Sequence, residues 1–210
     1  MLTLGRSAKR YDQVVGFLIV AFTMVEMFTI PRSYFVLGSL VSTSTMIFVA
    51  YLLTPRKNWL SKPSIAHVIL AVIVAVILYL VFVAGNLGIH TFQLSGFSSS
   101  GEQSIYNLFN NVPLPILLIV LVLDALGFES YFRGILLASF SSRLRIASVF
   151  LAAAIDASIH FASLNPLFPA TTFIADSVWG FYYYKTNDLY STILCHFIWD
   201  IMIFVLIPIH

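Results

Sequence analysis

The sequence predicts an all-α protein, a polytopic membrane helix bundle of about seven transmembrane helices. Three observations carry this expectation. Hydrophobic residues make up 60% of the 210-residue chain and charged residues only 10%, where soluble domains carry about 25% charged residues. The mean hydropathy of +0.94 means more apolar surface than a water-soluble protein of this size can hide. The apolar residues are also gathered into stretches near the roughly 20 residues that a helix needs to cross a hydrocarbon core.

The stretches run at about 14–31, 34–54, 65–88, 113–140, 146–164, 167–184 and 189–209. The first follows a polar, basic N-terminus. It is longer than a signal-peptide core and is followed by no small-x-small cleavage pattern, so it reads as an uncleaved span. The second and third are simple apolar runs. The 89–112 segment after them reads as an ordinary linker with a flexible Ser98-Ser99-Ser100-Gly101 centre, in which Ile105–Phe109 is able to form a short interfacial helix. The fourth stretch is longer than a single crossing and contains Glu129 and Arg133. Pro31, Pro55, Pro63, Pro113, Pro166 and Pro208 fall at or near stretch edges, where a missing N–H does least harm.

The basic residues test the count. With the N-terminus inside, Arg6, Lys9, Arg10, Arg56, Lys57, Lys62, Arg143, Arg145 and Lys185 all lie on the cytoplasmic side, and Arg32 alone lies opposite. The positive-inside rule expects this asymmetry, and a miscounted span would break it. The N-terminus is therefore expected in the cytoplasm, with the lipid bilayer as first partner, and the expected location is the plasma membrane of a prokaryote. No cluster of Lys and Arg is interleaved with exposed aromatics, so nucleic acid is not an expected partner. The single cysteine, Cys195, sits in an apolar run and allows no disulfide framework.

The chain changes character near residue 113, which divides it into an N-terminal part, 1–112, and a core domain, 113–210. Glu26 is the one acid of the first three spans, whereas the last four hold Asp124, Glu129, Asp156, Asp176 and Asp200, with Arg133, His160 and His196. An ionised Asp or Arg at a membrane helix centre costs about 2.5–3.5 kcal/mol on insertion scales, so such residues face each other or a wet cavity and mark functional sites. Helical spacing sorts them into three i, i+4 pairs: Glu129 with Arg133, Asp156 with His160, and His196 with Asp200. Acid–base pairs of this kind orient water, donate to an oxyanion or fix a carboxylate. Each pair also has a purely structural reading, as a buried ion pair or an interhelical hydrogen bond. Asp176 lies outside the three pairs and reads as structural. Glu26 is expected to face another helix, His67, His90 and His210 lie near span ends, and Tyr182–Tyr184 suits an interfacial aromatic belt. Glu129, His160, His196 and Asp200 are all chemically able to bind Zn²⁺, but no compact His-Glu-x-x-His signature is present. The expectation is no cofactor, with zinc the less favoured alternative.

These residues resemble a known family. Phe128-Glu129-Ser130-Tyr131-Phe132-Arg133-Gly134 is similar to the Glu-Glu-x-x-x-Arg-Gly motif of the CAAX-protease and bacteriocin-processing (CPBP, or Abi) intramembrane endopeptidases. The family's Phe-x-x-x-His motif falls on Asp156 to His160, and its His-x-x-x-Asn/Asp motif on His196 to Asp200. The approach to the last helix, Gly180 to Leu189, resembles the family's tyrosine-rich lead into a turn. The resemblance covers about residues 113–207. It implies a peptide hydrolase in which the first histidine and the first motif glutamate activate water, while the last histidine and Asn/Asp stabilise the oxyanion. By position, Glu129, Arg133, His160, His196 and Asp200 are carried over. The chain departs from the pattern twice, since Phe128 stands at the first glutamate and Asp156 at the phenylalanine. Asp156, Asp124 or Glu129 is then the candidate replacement acid.

The leading expectation is an intramembrane endopeptidase acting on a peptide or lipidated (prenylated) protein substrate. The alternatives are a catalytically inactive relative with a binding or immunity role, because of Phe128, and more remotely a transporter.

Overall fold

The structure is a computed structural model that describes residues 10–54, 63–92, 95–109 and 111–209. Helix α1 spans Arg10–Thr29 and, through the turn Arg32–Tyr34, folds back as α2, Phe35–Leu53. Helix α3 spans Ile65–Thr91 and α4 Ser95–Tyr106. Helix α5, Leu114–Phe128, continues without a break through a π-helical segment, Glu129–Leu137, into α6, Ala138–Leu144. Helix α7, Ala147–Ile159, ends in the 3-10 turn His160–Ser163, and α8, Leu167–Thr186, is followed by α9, Leu189–Ile201. No strand occurs among the described residues.

All seven apolar stretches of the sequence are helical. Among the described residues, five helices are long and apolar enough to cross a membrane: Tyr11–Thr29, Arg32–Leu53, Ile65–Thr91, Leu114–Leu144 and Leu189–Leu206. The two remaining stretches differ for separate reasons. The segment Ala147–Ser163 is apolar but shorter, and α8 has the length but carries Asp176, three threonines and three tyrosines in its 20 residues. These two helices pack closely on each other. Phe22, Phe48, Ile77, Leu80 and Ile119 are each more than half exposed, a display of outward apolar side chains that only lipid can solvate. Most basic residues used in the orientation argument, Arg6, Lys9, Arg56, Lys57 and Lys62, lie outside the described residues, as does His210; of Arg10 only the backbone is described.

Two expectations are corrected. The 89–112 connection is not a plain linker, and its helix is not Ile105–Phe109: α3 runs on to Thr91, and α4 occupies Ser95–Tyr106. Helix α4 is tied down by hydrogen bonds to residues remote in sequence. Asn165 Nδ2 donates to the Gly101 carbonyl at 2.9 Å, and the Ile209 N–H donates to the Tyr106 hydroxyl at 2.9 Å. The Tyr182–Tyr184 run is not an interfacial belt either. Tyr182 and Tyr183 are buried, and the Tyr182 hydroxyl donates to the His67 carbonyl at 2.7 Å.

The α5–π–α6 rod is the axis of the bundle, touching α2, α7, α8 and α9. One apolar core joins α1 and α2 (Val20, Met24, Met46, Val49) to Tyr131, Phe132 and Ile135 of the rod. A second joins α3 (Ala71, Ala75, Leu78) to Trp179, Cys195 and Trp199 of α8 and α9. Between lipid-bathed helices, close backbone approach replaces the hydrophobic drive of water, and small residues permit it. Gly127 is the place where this is strictest, because a Cβ there would lie 2.9 Å from the Thr43 carbonyl oxygen of α2. Gly127→Ala should therefore force α2 and α5 apart and cost about 1–3 kcal/mol of overpacking strain. Gly88→Ala, where a Cβ meets nothing within 4 Å, should be neutral. Thermal unfolding of the two purified variants in detergent checks the contrast.

Candidate active site

The rod delivers the first two polar residues. Where the π segment passes into α6, the Ala138 N–H reaches back five residues to the Arg133 carbonyl, a widened winding that recurs at functional sites. Glu129 and Arg133 lie one turn apart on this segment, with Arg133 Nε 3.1 Å from Glu129 Oε2 and exposures of 2% and 0%. Arg133 then spans to α8, its Nη2 donating to Asp176 Oδ1 at 2.6 Å and to the Asp176 carbonyl at 3.2 Å. Its guanidinium also lies over the Trp179 ring, 5.8 Å from the centroid.

Helix α9 supplies the last motif, and its start is fixed by local chemistry. Asn187 takes the left-handed conformation (φ 51°) that ends α8. Asp188 caps α9 by accepting the Ser191 N–H at 3.1 Å and receives His67 Nδ1 of α3 at 3.0 Å. Two turns on, His196 Nδ1 donates to Glu129 Oε1 at 2.8 Å, while its Nε2 lies 3.5 Å from Asp200 Oδ2. The imidazole is stacked on Trp179 with centroids 3.8 Å apart and planes 16° apart.

His160 sits where α7 tightens into its 3-10 turn. Its Nδ1 donates to the Asp156 carbonyl at 3.0 Å and lies 3.3 Å from Asp156 Oδ1. That fixes the ring and its tautomer, leaving Nε2 as the available nitrogen. The ring packs between Phe28 (5.3 Å) and Phe168 (5.2 Å). Asp156 neighbours Asp176 in turn. The contacts form one buried sequence from α9 to α7: Asp200, His196, Glu129, Arg133, Asp176, Asp156, His160.

One cavity of about 410 Å³ opens against this sequence, lined by Asp124, Phe128, Asp156, His160, Asp176, His196 and Asp200 among mostly apolar neighbours. The three expected i, i+4 pairs are all present, on helices brought to a common space. Glu129 and Arg133 do not line the cavity, so their part is to hold His196 and Asp176 from behind its wall. Asp176, read from the sequence as structural and apart from the site, is instead joined to it through Arg133. The signal that would have found it is the arginine's unspent fork, since Glu129 alone occupies only one edge of a guanidinium. Phe128 stands between the two histidines, its ring centroid 6.2 Å from that of His160 and 6.4 Å from that of His196. Among the described residues no three His, Cys, Asp or Glu side chains form a group able to hold a metal ion.

A helical bundle with an apolar exterior and a sealed ionisable network facing an internal cavity is a membrane protein built around a buried polar site. Residues 110–202 match the family described as Type II CAAX prenyl endopeptidase Rce1-like. The matched segment, under half of the chain, is similar to the CAAX-protease (CPBP) family of membrane endopeptidases and includes every residue of the network. No curated protein and no solved structure matches the chain.

Removing the cation of the network should be severe. Arg133→Met leaves the Glu129 and Asp176 carboxylates buried without their partner, a loss of about 3–5 kcal/mol. Arg133→Lys should recover little, because one ammonium does not reproduce the geometry of the guanidinium fork. Yield and melting temperature in detergent report both effects.

Proposed function

We propose that this protein is an intramembrane endopeptidase of the CAAX-protease type. In this reading it sits in the plasma membrane of a prokaryote with its N-terminus in the cytoplasm and hydrolyses peptide bonds of membrane-associated or prenylated substrates. One observation carries the proposal. Two histidines from different helices are each held through Nδ1 by a backbone or carboxylate acceptor, and both line the same cavity. His160 Nε2 accepts a hydrogen bond from water and orients it toward the scissile carbonyl, with Asp156 fixing the ring as the orienting acid does in nucleophile–base constellations. His196, positioned by Glu129 and Asp200, donates through Nε2 to the oxyanion that develops on attack. Arg133 acts through Glu129 as a positioning residue. The apolar walls, rich in Phe, Ile and Leu, suit a substrate that brings its own hydrophobic anchor. No metal enters this scheme.

Phe128 favours a second reading, in which the chain binds a membrane peptide without cutting it, because an aromatic ring stands between the histidines at the position of the family's first glutamate. Phe128→Glu separates the two readings: hydrolysis by the variant but not by the natural chain identifies a binding protein.

His160→Ala and His196→Ala should each reduce cleavage of a membrane-tethered peptide reporter by about 10²–10⁴-fold at normal expression. Unchanged cleavage in both variants refutes the hydrolase reading. A zinc chelator should leave the wild-type rate intact, and loss of activity restored by added Zn²⁺ would overturn the metal-free scheme.

A further inference from the structure

We infer that Asp124 is a third catalytic side chain, the carboxylate that takes the proton from the attacking water. The inference rests on the hydrolase reading above and assigns a residue that this reading leaves without a part.

The acids of the bundle differ in what their oxygens can reach. Glu129 is fully buried, with one oxygen on His196 and the other on Arg133. Asp176 is tied to Arg133. Asp156 is 0% exposed and lies against His160. Asp200 is 3% exposed and lies against His196. Asp124 differs from the other acids that line the cavity in keeping part of its surface open. No ion pair reaches it among the described residues.

It is nonetheless held in place. Ser39 on α2 is 2% exposed, and its hydroxyl donates to Asp124 Oδ1 at 2.8 Å. The other oxygen, Oδ2, remains for a ligand. An acid in a membrane helix that forms no ion pair, is oriented by one buried hydroxyl and is open to a cavity with two histidines fits the pattern of a general base more closely than that of a structural ion. Asp124 and Phe128 are one turn apart on the same helix, and both line the cavity.

In the step itself, the water oxygen bonds to the carbonyl carbon as one water proton moves to Asp124 Oδ2. The C–N bond then breaks as that proton passes to the departing amine nitrogen. The carboxylate is regenerated, and the products are an acid and an amine.

The test measures cleavage of a membrane-tethered peptide by the full chain. Asp124→Asn, which keeps shape and removes the base, should lower kcat by about 10²-fold or more with the melting temperature unchanged. Adding Phe128→Glu to that variant places a carboxylate one turn along the same wall and should recover at least about tenfold of the loss, a rescue that a structural role for Asp124 does not provide. Ser39→Ala should lower kcat about threefold to tenfold, the value of one oriented hydrogen bond, at unchanged KM. Wild-type kcat in Asp124→Asn beside an inactive His160→Ala overturns the role of Asp124 and leaves the hydrolase reading standing. Wild-type kcat in both overturns both. If Asp124→Asn does not fold, Ser39→Ala decides, and an unchanged kcat there overturns the inference.

Discussion

The fold turns on a single desolvated cation. Arg133 is 2% exposed, and its guanidinium joins Glu129 on its own helix to Asp176 on α8. Burying such charges costs several kcal/mol per ion, and the cost is recovered only when geometry and hydrogen bonding are nearly complete. The planar fork of arginine meets that condition by serving two carboxylates at once, with a tryptophan face beneath it. The two histidines hang from this point: Glu129 is steadied on one oxygen and so holds His196 with the other, and Asp176 stands beside Asp156, which in turn orients His160.

The apolar part of the molecule is arranged to make that cation tolerable. The helices most able to cross a bilayer flank the rod and the α7–α8 pair, which carry most of the ionisable residues. Gly127 lets α2 approach α5 closely enough that Thr43 backbone lies against the rod, and the same approach brings Ser39 within hydrogen-bond distance of Asp124. The π-helical winding from Glu129 to Leu137 spreads the residues around the inward face without ending the helix, so charged and apolar neighbours alternate between network and core: Arg133 on one side, Tyr131, Phe132 and Ile135 on the other.

Much of this was legible in the sequence, and the limits were physical. Helical period exposes any pair of residues one turn apart, which is why Glu129/Arg133, Asp156/His160 and His196/Asp200 could be read before the structure. Contacts between helices leave no such trace. Arg133 and Asp176 are 43 residues apart, and nothing in their spacing announces the bridge, so Asp176 was misplaced. The bond from His196 to Glu129 is equally invisible to periodicity. Tyr182 was misread because aromatic runs near a helix end serve both interfaces and cores, and only its hydroxyl contacts with His67 and Ser191 decide between them. Helix α4 was missed because a Ser- and Gly-rich segment has weak intrinsic helicity; remote side chains, Asn165 above all, hold it in place.

The two histidines are anchored with unequal firmness. His196 lies inside a helix whose first turn is pinned to α3 and α8 through the Asp188 cap, His67 and Tyr182, and its ring is clamped on Trp179. His160 lies at a terminus, where the backbone tightens into a short 3-10 turn and leaves through Leu164 at φ 57°, and its ring is gripped by phenylalanines, with Asp156 of its own helix as its polar partner. Stiffness in this bundle is therefore lopsided. Whatever enters the cavity meets an unyielding wall on the α9 side and a compliant one on the α7 side, and accommodation to its shape falls to the short turn that carries His160.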